Sequence, residues 1–340
     1  MGFTLTLCFD TRRISRILFC SILLLLSALA FSACSPSSTT SKRTPIAVQL
    51  SWLHQAQFAG FYAADQQGYF TDEGLDVSFI EGGPEVDFIS PVAKGAAQFG
   101  VAQPADAILA RAQGLSVRSI AVIYRRSPII FFSLADSGII RPQDFVGKKI
   151  RTAVTIDQTL RALMTKIGIE PNQYETVSLP SDIKRFASGD VPVWGAYINV
   201  FAFEVQNAGY EINIISPDDY GIHFYGDILI TTDDFIAEHP DTVRRFLLAT
   251  LKGWKYALEH PEMVGSFVQK YQPDADPDLE VDKMIRTIPL VNTGEDDIGW
   301  MNAERWKTME DTLRQQGALT GPLDIEQVYT MQFLKEIYGK

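Results

Sequence analysis

Two successive runs of alternating strand-like and helix-like segments constrain the fold of this chain more than any other feature. In each run, short apolar stretches alternate with segments whose apolar residues recur at helical spacing, and a glycine follows most of the helices. Parallel strands need crossover connections, which are usually helical, so each run predicts a β-α-β-α-β unit. The predicted strands cover 45–51, 75–80, 97–101 and 117–124 in the first run, and 148–154, 175–179, 193–197 and 211–215 in the second. The fold class is therefore α/β, with two lobes that each contain a parallel-rich sheet flanked by helices.

The chain from Phe235 onward has an almost entirely helical pattern. Helices that follow the second run must pack back on the first lobe, which makes that lobe discontinuous. The predicted divisions are a signal peptide at 1–33, a tether at 34–44, lobe 1 at 45–133 plus 230–340, and lobe 2 at 134–229. A cleft between two α/β lobes is a common place for a small ligand.

The N-terminus has the pattern of an export signal. Arg12, Arg13 and Arg16 precede an apolar run over 17–31 that is shorter than the about 20 residues needed to span a bilayer. The run ends in Leu-Ala-Phe-Ser-Ala immediately before Cys34, which resembles the lipobox of bacterial lipoproteins. The sequence thus predicts lipidation at Cys34 and a lipid-anchored protein on the extracytoplasmic face of the cell membrane.

The alternatives are an ordinary secretory cleavage or an uncleaved anchor. Cys8 and Cys20 lie in the predicted signal peptide, so Cys34 is the single cysteine of the mature part and cannot form an internal disulfide. The following Ser/Thr-rich stretch is typical of a tether between a lipid anchor and a folded domain. Both observations favour the lipoprotein interpretation.

The charge of the chain argues against nucleic acid as a partner. The formal charge is −11, and the predicted signal peptide carries +2, so the mature part carries about −13. Binding to nucleic acid requires clustered Lys and Arg that displace counterions.

Motifs of common enzyme classes are missing from the sequence. It has no Gly-x-Ser-x-Gly elbow, no phosphate-binding glycine loop and no dinucleotide fingerprint. The four histidines do not have metal-ligand spacing; they are His54, His223, His239 and His260. The sequence therefore predicts no catalytic residues, no metal and no cofactor.

A family resemblance is specific at the end of the first predicted strand. Residues 49–62 read QLSWLHQAQFAGFY, and further marks follow at 68–77, 82–84 and 99–101. This pattern resembles the ABC-transporter substrate-binding lipoproteins of the ThiY-like superfamily, which bind pyrimidine precursors of thiamine, and most of all their riboflavin-binding RibY branch. The resemblance extends over about residues 45–340 and implies a two-lobed periplasmic-binding-protein-like fold of type II with the ligand in the interlobe cleft.

One departure bears on the ligand. Pyrimidine-binding relatives typically have Asn-Glu-Pro shortly after the Trp and Tyr of the second lobe, and this chain has Val200, Phe201 and Ala202 there. Replacing the Glu with Phe201 removes a carboxylate that would pair with an aminopyrimidine and adds a stacking surface. The resemblance therefore implies a larger flat ring such as riboflavin, with a pyrimidine thiamine precursor as the alternative.

The candidate ligand-binding residues are aromatic, amide and acidic side chains near predicted strand-to-helix junctions. They are Trp52, His54, Gln57, Gln103, Asp106, Tyr124, Asp157, Trp194, Tyr197 and Phe201.

Several of these positions also have a structural interpretation. Trp52 and Trp194 are compatible with core aromatics at strand ends. Asp106 lies in the first turn of a predicted helix, where a carboxylate favours the helix dipole. Asp157 has the position of an N-cap.

The sequence is compatible with three functions. The first is a transport receptor whose partners are a small heteroaromatic ligand, an ABC permease with its ATPase, and the membrane through the lipid anchor. The second is an enzyme, since a pyrimidine synthase shares this fold, although that relative depends on a pyridoxal-bearing lysine and a Cys-rich loop. The third is a sensory receptor that does not transport its ligand.

Overall fold

The computed structural model describes residues 1–4 and 43–340, and residues 43–340 form one compact unit. Cys34, the apolar run of the predicted signal peptide and most of the tether lie outside the described residues, so they stay predictions. In the described part of the chain, no helix is long and apolar enough to cross a membrane.

Two five-stranded sheets organise the described chain. The strands are β1 (Thr44–Gln49), β2 (Leu75–Ile80), β3 (Phe99–Ala102), β4 (Val117–Val122), β5 (Ile129–Leu134), β6 (Lys149–Thr152), β7 (Glu175–Ser178), β8 (Val193–Tyr197), β9 (Ile212–Ile215) and β10 (Ile228–Thr232). The first sheet has the order β2-β1-β3-β10-β4, and the second has the order β7-β6-β8-β5-β9. We define lobe 1 and lobe 2 as these two sheets with the helices that pack on them.

The α-helices of the described residues follow the strands in the predicted alternation. They are α1 (Ala59–Gln66), α2 (Tyr69–Asp72), α3 (Ser90–Ala93), α4 (Pro104–Ala112), α5 (Asp157–Lys166), α6 (Ile183–Ser188), α7 (Phe201–Asn207), α8 (Asp233–Glu238), α9 (Pro240–Glu259), α10 (Val264–Gln269), α11 (Pro277–Val291), α12 (Ala303–Gln315) and α13 (Gln332–Tyr338). Short 3-10 turns lie between them, and one of these, Ala56–Phe58, precedes α1. Helix α3 is a single turn of four residues.

Both sheets have the same arrangement of strand directions. Four strands run in one direction, and the strand next to one edge runs in the other: β10 is antiparallel to β3 and β4, and β5 is antiparallel to β8 and β9. Each reversed strand enters its sheet directly after the chain crosses from the other sheet. The prediction of two α/β lobes with parallel-rich sheets is confirmed.

One predicted boundary differs from the strand pairing in the structure. The boundary at residue 133 would leave most of β5 in lobe 1, but β5 belongs to the second sheet. The crossings lie at 123–128 and 216–227, before the positions predicted from the sequence. An apolar run in the sequence identifies a strand, but the strands with which it pairs decide its sheet. The local pattern therefore could not assign β5 to one of the two sheets.

The two lobes build their cores differently. In lobe 2, Ile129 and Phe131 pack on one face of the sheet while Ile130 and Phe132 pack on the other, because side chains alternate along β5. Lobe 1 has one large apolar core. Trp52 is partly buried and packs against both the lobe 1 core and one core of lobe 2.

Helix α1 is held tightly against the long helix α9. A Cβ added at Gly60 would overlap the ring of Trp254, and one added at Gly253 would overlap the carbonyl oxygen of Gly60. Glycine at both positions therefore lets the two helix backbones approach closely. This crossing fixes the N-terminal end of α1, next to the loop that follows β1.

Candidate functional site

The carboxyl ends of strands from both sheets enclose a small cavity between the lobes. Its volume is about 30 Å³, room for about two water molecules. Side chains from the loop after β1 and from strands β6 and β8 with the loops after β6, β7 and β8 line it: Trp52, Gln55, Gln57, Arg151, Thr155, Ile156, Ser181, Ala196, Tyr197, Val200 and Phe201. This is the position at which open α/β sheets bind ligands.

Trp52 forms the lobe 1 wall of this cleft. Its backbone is fixed by Gly82, whose N–H donates to the Trp52 carbonyl oxygen at 3.0 Å. A Cβ at Gly82 would lie 2.5 Å from the Trp52 nitrogen and from the Leu50 carbonyl oxygen, so only glycine fits beside this loop.

A buried carboxylate joins the two lobes beneath the cleft. Asp227 lies just before β10 and is 1% exposed. Its Oδ1 accepts from the Tyr197 hydroxyl at 2.7 Å and from Gln103 Nε2 at 2.8 Å, while its Oδ2 accepts from Gln57 Nε2 at 2.7 Å. Gln103 Nε2 also donates to the Tyr197 hydroxyl oxygen at 2.7 Å. Tyr197 belongs to lobe 2, Gln57 and Gln103 belong to lobe 1, and Asp227 ends the second crossing, so the network joins the two lobes.

Burial dominates the acid–base behaviour of the network. It raises the pKa of Asp227, and the hydrogen bonds from Tyr197, Gln57 and Gln103 oppose that rise. Burial and the charge of Asp227 raise the pKa of Tyr197 well above its ordinary value, so its hydroxyl keeps its proton. The network therefore holds the polar ends of these side chains in fixed positions rather than supplying a proton.

The guanidinium of Arg151 lies between two indole rings, one from each lobe. Its Cζ is 5.8 Å from the centre of the Trp52 ring and 5.6 Å from that of Trp194. Nε donates to the Leu179 carbonyl oxygen and Nη1 to the Gly195 carbonyl oxygen, both at 2.8 Å. Burial lowers the pKa of Arg151 to about 10, so the side chain is a cation at neutral pH.

Phe201 and Trp194 have different positions relative to the cleft. Phe201 lines it, with its ring centre 5.3 Å from that of Trp194. Trp194 is fully buried in the lobe 2 core, and its Nε1 donates to the Val191 carbonyl oxygen at 2.8 Å. Trp194 therefore supports Phe201 and Arg151 from behind rather than facing the cleft.

His54 points away from the cleft into an aromatic cluster of lobe 1. Its Nδ1 lies 2.7 Å from the Tyr62 hydroxyl, and its ring stacks on Tyr271 at 5.4 Å. Burial lowers the pKa of His54, and the charge of Glu81 opposes this shift. His54 therefore has its hydrogen-bond partner, the Tyr62 hydroxyl, inside lobe 1.

Tyr124 lies behind the cleft rather than in its lining. Its ring is fully buried, with its centre 6.3 Å from that of Tyr197. Burial, followed by the charge of Asp227, raises the pKa of Tyr124. The ring therefore packs against the Asp227 network as a neutral phenol.

Asp106 and Asp157 belong to another region of the lobe interface. Asp106 lines a separate cavity of about 370 Å³ together with Val154 and Gln158 of lobe 2. Burial, and then the charge of Asp157, raise the pKa of Asp106 to about 7. Asp157 is the first residue of α5 and not its N-cap, which is Ile156; its Oδ2 accepts from Arg161 Nε at 2.6 Å.

Of the ten predicted ligand-binding residues, the cleft brings together Trp52, Gln57, Tyr197 and Phe201, with Gln103 bonded directly behind them. The prediction missed Arg151 and Asp227. Asp227 had a signal in the sequence, because it directly precedes the largely apolar strand β10, where an unpaired charge is costly. Arg151 did not stand out, because the same strand also carries Lys149.

A second set of contacts joins the lobes beside the cleft. Lys283 of α11 lies 2.6 Å from Glu280 on its own helix and 2.6 Å from Glu204 on α7 of lobe 2. Glu280 in turn accepts from the backbone N–H of Ala56 at 2.6 Å, next to Gln57. Burial alone would lower the pKa of Lys283, but the two carboxylates raise it overall. We call Lys283, Glu280 and Glu204 the interlobe ion cluster.

Three curated proteins are similar to nearly the whole chain. The riboflavin-binding protein RibY of Chloroflexus aurantiacus is 24% identical, with 94% of this chain and 97% of that protein covered. The formylaminopyrimidine-binding protein of Halalkalibacterium halodurans is 26% identical, covering 91% and 97%. A 4-amino-5-hydroxymethyl-2-methylpyrimidine phosphate synthase of Legionella pneumophila is 24% identical, covering 87% and 94%.

Among solved structures, the periplasmic aliphatic sulphonate-binding protein SsuA of Escherichia coli superposes with a TM-score of 0.66 at 14% identity, covering 84% of this chain and 91% of that one. The fold is thus the two-lobed fold of periplasmic binding proteins, as the resemblance implied. The family model described as NMT1/THI5 like matches residues 55–264, which is more than half of the chain. These residues contain the whole of lobe 2 and most of the cleft lining, and the chain belongs to the NMT1/THI5-like family.

Proposed function

We propose that this protein is the substrate-binding lipoprotein of an ABC importer that captures a flat heteroaromatic vitamin, best riboflavin, and delivers it to a membrane permease. The observation that carries the proposal is the composition of the cleft. Trp52 of lobe 1 faces Tyr197 and Phe201 of lobe 2, and amide, hydroxyl and guanidinium groups complete the lining. Apolar rings with a few fixed polar groups are typical of sites that bind planar polar molecules.

The size of the cavity bears on the mechanism. Small-molecule sites have volumes of about 300–1,000 Å³, and the cavity of about 30 Å³ is far smaller. A flavin can therefore enter only when the lobes separate about the crossings at 123–128 and 216–227. Ligand contacts to both lobes then favour closure by their differential binding energy.

Two observations bear on whether the ligand is riboflavin or a pyrimidine. The formylaminopyrimidine-binding relative favours a pyrimidine as the second candidate. Phe201 favours riboflavin, because it lines the cleft at the position where pyrimidine-binding relatives are expected to have a carboxylate. A ring stack adds about 0.5–1.5 kcal/mol beyond area burial.

An enzymatic role has less support. One relative is a pyrimidine phosphate synthase, and the resemblance given above implies that a eukaryotic synthase of this fold depends on a pyridoxal-bearing lysine. No lysine, cysteine or histidine is found among the described residues that line the cleft. The described lining offers rings and donors that bind a ring, and no lysine amine that would carry a pyridoxal group.

Titration of the purified full-length protein, after removal of any co-purified ligand by unfolding and refolding, tests the proposal. We expect riboflavin fluorescence to be quenched with saturation at one equivalent, and calorimetry to show tighter binding of riboflavin than of 4-amino-5-hydroxymethyl-2-methylpyrimidine. Tight pyrimidine binding without any heat from riboflavin would replace the vitamin and keep the receptor. Absence of binding by either compound would contradict the proposed receptor for these vitamins.

The anchor is tested separately through Cys34. We expect Cys34→Ser to abolish incorporation of labelled palmitate and to release the protein from the membrane fraction or leave its precursor uncleaved. Retained labelling would contradict the lipoprotein assignment.

A further inference from the structure

Arg151 is the only charged side chain among the described residues that line the cleft. It lies on β6 and is 1% exposed. Its Nε and Nη1 are fixed by the carbonyl oxygens of Leu179 and Gly195, so the guanidinium plane has a defined orientation.

The third nitrogen of this guanidinium has no protein acceptor. Nη2 is buried, and within residues 43–340 nothing accepts its hydrogen bonds. The same described residues place no carboxylate within 4.0 Å of Arg151; its neighbours are the faces of Trp52 and Trp194. A buried cation without a carboxylate or a full set of acceptors costs free energy, and such a group in a binding cleft calls for a partner.

Three neighbouring polar side chains at the cleft are already engaged, whereas the neutral hydroxyls of Thr155 and Ser181 also line it. Gln57 and Gln103 donate through Nε2 to Asp227, and the Tyr197 hydroxyl donates to the same carboxylate. The Oε1 of Gln57 accepts from Gln55 Nε2 at 2.8 Å. Arg151 thus offers the strong donor that the closed protein leaves unused.

We propose that Arg151 Nη2 donates to an oxygen acceptor of the ligand, so that the cleft selects flat rings with a carbonyl or anionic oxygen at their edge. The imide edge of the flavin ring system has two carbonyl oxygens, whereas an aminopyrimidine has an amine donor and ring nitrogens but no carbonyl oxygen. The inference rests on the proposed function of the cleft as a ligand site and names the chemical class that the site accepts. Arginine suits this role because its planar fork is always charged and binds oxygen acceptors directionally.

Substitution of Arg151 tests the inference in the full-length protein. Arg151→Met should weaken riboflavin binding about 10- to 100-fold, because hydrogen bonds to charged groups are strong. Arg151→Lys keeps the charge without the fork and should fall between Arg151→Met and the parent protein. The matched control is Arg161→Met on α5, which removes an arginine of the same lobe that pairs with Asp157 outside the cleft; it should bind riboflavin as the parent does.

A second measurement needs no variant. A cation beside the imide edge stabilises its deprotonated form, so the N3–H of bound riboflavin should ionise at lower pH than that of free riboflavin. The absorbance of the bound flavin as a function of pH reports this shift, which a merely structural arginine would not produce.

The outcomes separate this inference from the proposed vitamin. If riboflavin binds equally to the parent and Arg151→Met, and its ionisation is that of free flavin, Arg151 has no such role and the receptor remains. If riboflavin does not bind but taurine does, with a loss in Arg151→Met, the vitamin is wrong and the acceptor preference holds. If only 4-amino-5-hydroxymethyl-2-methylpyrimidine binds, which has no carbonyl oxygen, the riboflavin assignment and the acceptor preference both fail while the receptor stands. If none of the three probes binds, the proposed receptor fails as well.

Discussion

Phe201 has two roles in this structure. It lines the interlobe cleft, and it also belongs to a core cluster of lobe 2, where its ring packs near Trp194 and Phe132. A residue fixed in this way presents a rigid surface and loses little conformational entropy when a ligand stacks on it. Its identity therefore affects both the choice of ligand and the packing behind it.

We expect Phe201→Glu to weaken riboflavin binding by about 2–4 kcal/mol, since it removes a stacking ring and buries a carboxylate. Binding of an aminopyrimidine should improve or stay unchanged. Calorimetric titration with both compounds measures the two effects. Phe201→Leu is the control that removes the ring without adding charge, and it should weaken riboflavin less than Phe201→Glu. Equal losses for both ligands would show that Phe201 acts only through packing.

Asp106 gives the protein a pH-dependent stability. Its pKa is about 7 in the folded protein against an ordinary value of 3.8, so folding favours the protonated form. The stabilisation is complete below about pH 4 and is lost as the pH rises through about 7. Asp106→Asn should therefore raise the melting temperature relative to the parent by more at pH 8 than at pH 5, where only part of the stabilisation has been lost. Thermal unfolding at both pH values checks this, and an equal difference between the two proteins at both values would refute it.

At the scale of elements, helix α11 connects the lobes although it packs mainly in lobe 1. Lys283 contacts Glu204 of α7, and Thr287, one turn later, accepts from Asn199 Nδ2 of lobe 2 at 2.7 Å. Arg286 lies over the Phe203 ring of α7 at 4.0 Å. One helix face thus carries an ion pair, a hydrogen bond and a cation–π contact between lobes, and all three break when the cleft opens.

We expect Glu204→Gln to shift the protein towards the open form, because Lys283 keeps Glu280 as a partner but loses its charged contact with lobe 2. The predicted result is a larger radius of gyration without ligand and faster release of bound ligand. Small-angle scattering and stopped-flow fluorescence measure these quantities. Glu259→Gln is the matched control, since Glu259 is exposed and pairs only with Lys255 of its own helix in the described chain; a similar effect of both substitutions would exclude a specific role for the ion cluster.

At the scale of the whole molecule, two sheets of the same strand arrangement face each other across the cleft. Within residues 43–340 the chain passes between them twice, and we expect the lobes to rotate as bodies about these two crossings. The polar network around Asp227 and the interlobe ion cluster both need the lobes to be close. Ligand capture and lobe closure are therefore one event in the proposed mechanism.

Saturating riboflavin should reduce the radius of gyration of the protein in solution, because a ligand that contacts both lobes stabilises the closed form. Small-angle scattering with and without ligand measures the change, and a compound that does not bind serves as the control. An identical scattering profile at saturation would rule out closure by the ligand.

The amino-acid sequence by itself determined the α/β class, the two lobes and the first loop of the site. These features depend on local patterns: apolar runs of strand length, helical spacing between them, and the Trp52 segment with its polar neighbours. Even the departure at Phe201 was visible in the order of residues, and the structure places that side chain at the cleft.

Only the tertiary structure decided which of the candidate side chains meet. Three candidates have their partners within one lobe: His54 contacts the Tyr62 hydroxyl, and Tyr124 and Trp194 are buried. Arg151 lines the cleft and Asp227 lies beneath it, although they come from distant segments, because strand ends of both sheets converge there. The sheet that β5 joins was decided in the same way, by pairing with β8 and β9. A local pattern shows that a residue is apolar or polar, but its partner is chosen by contacts between residues far apart in sequence, and those exist only in the folded chain.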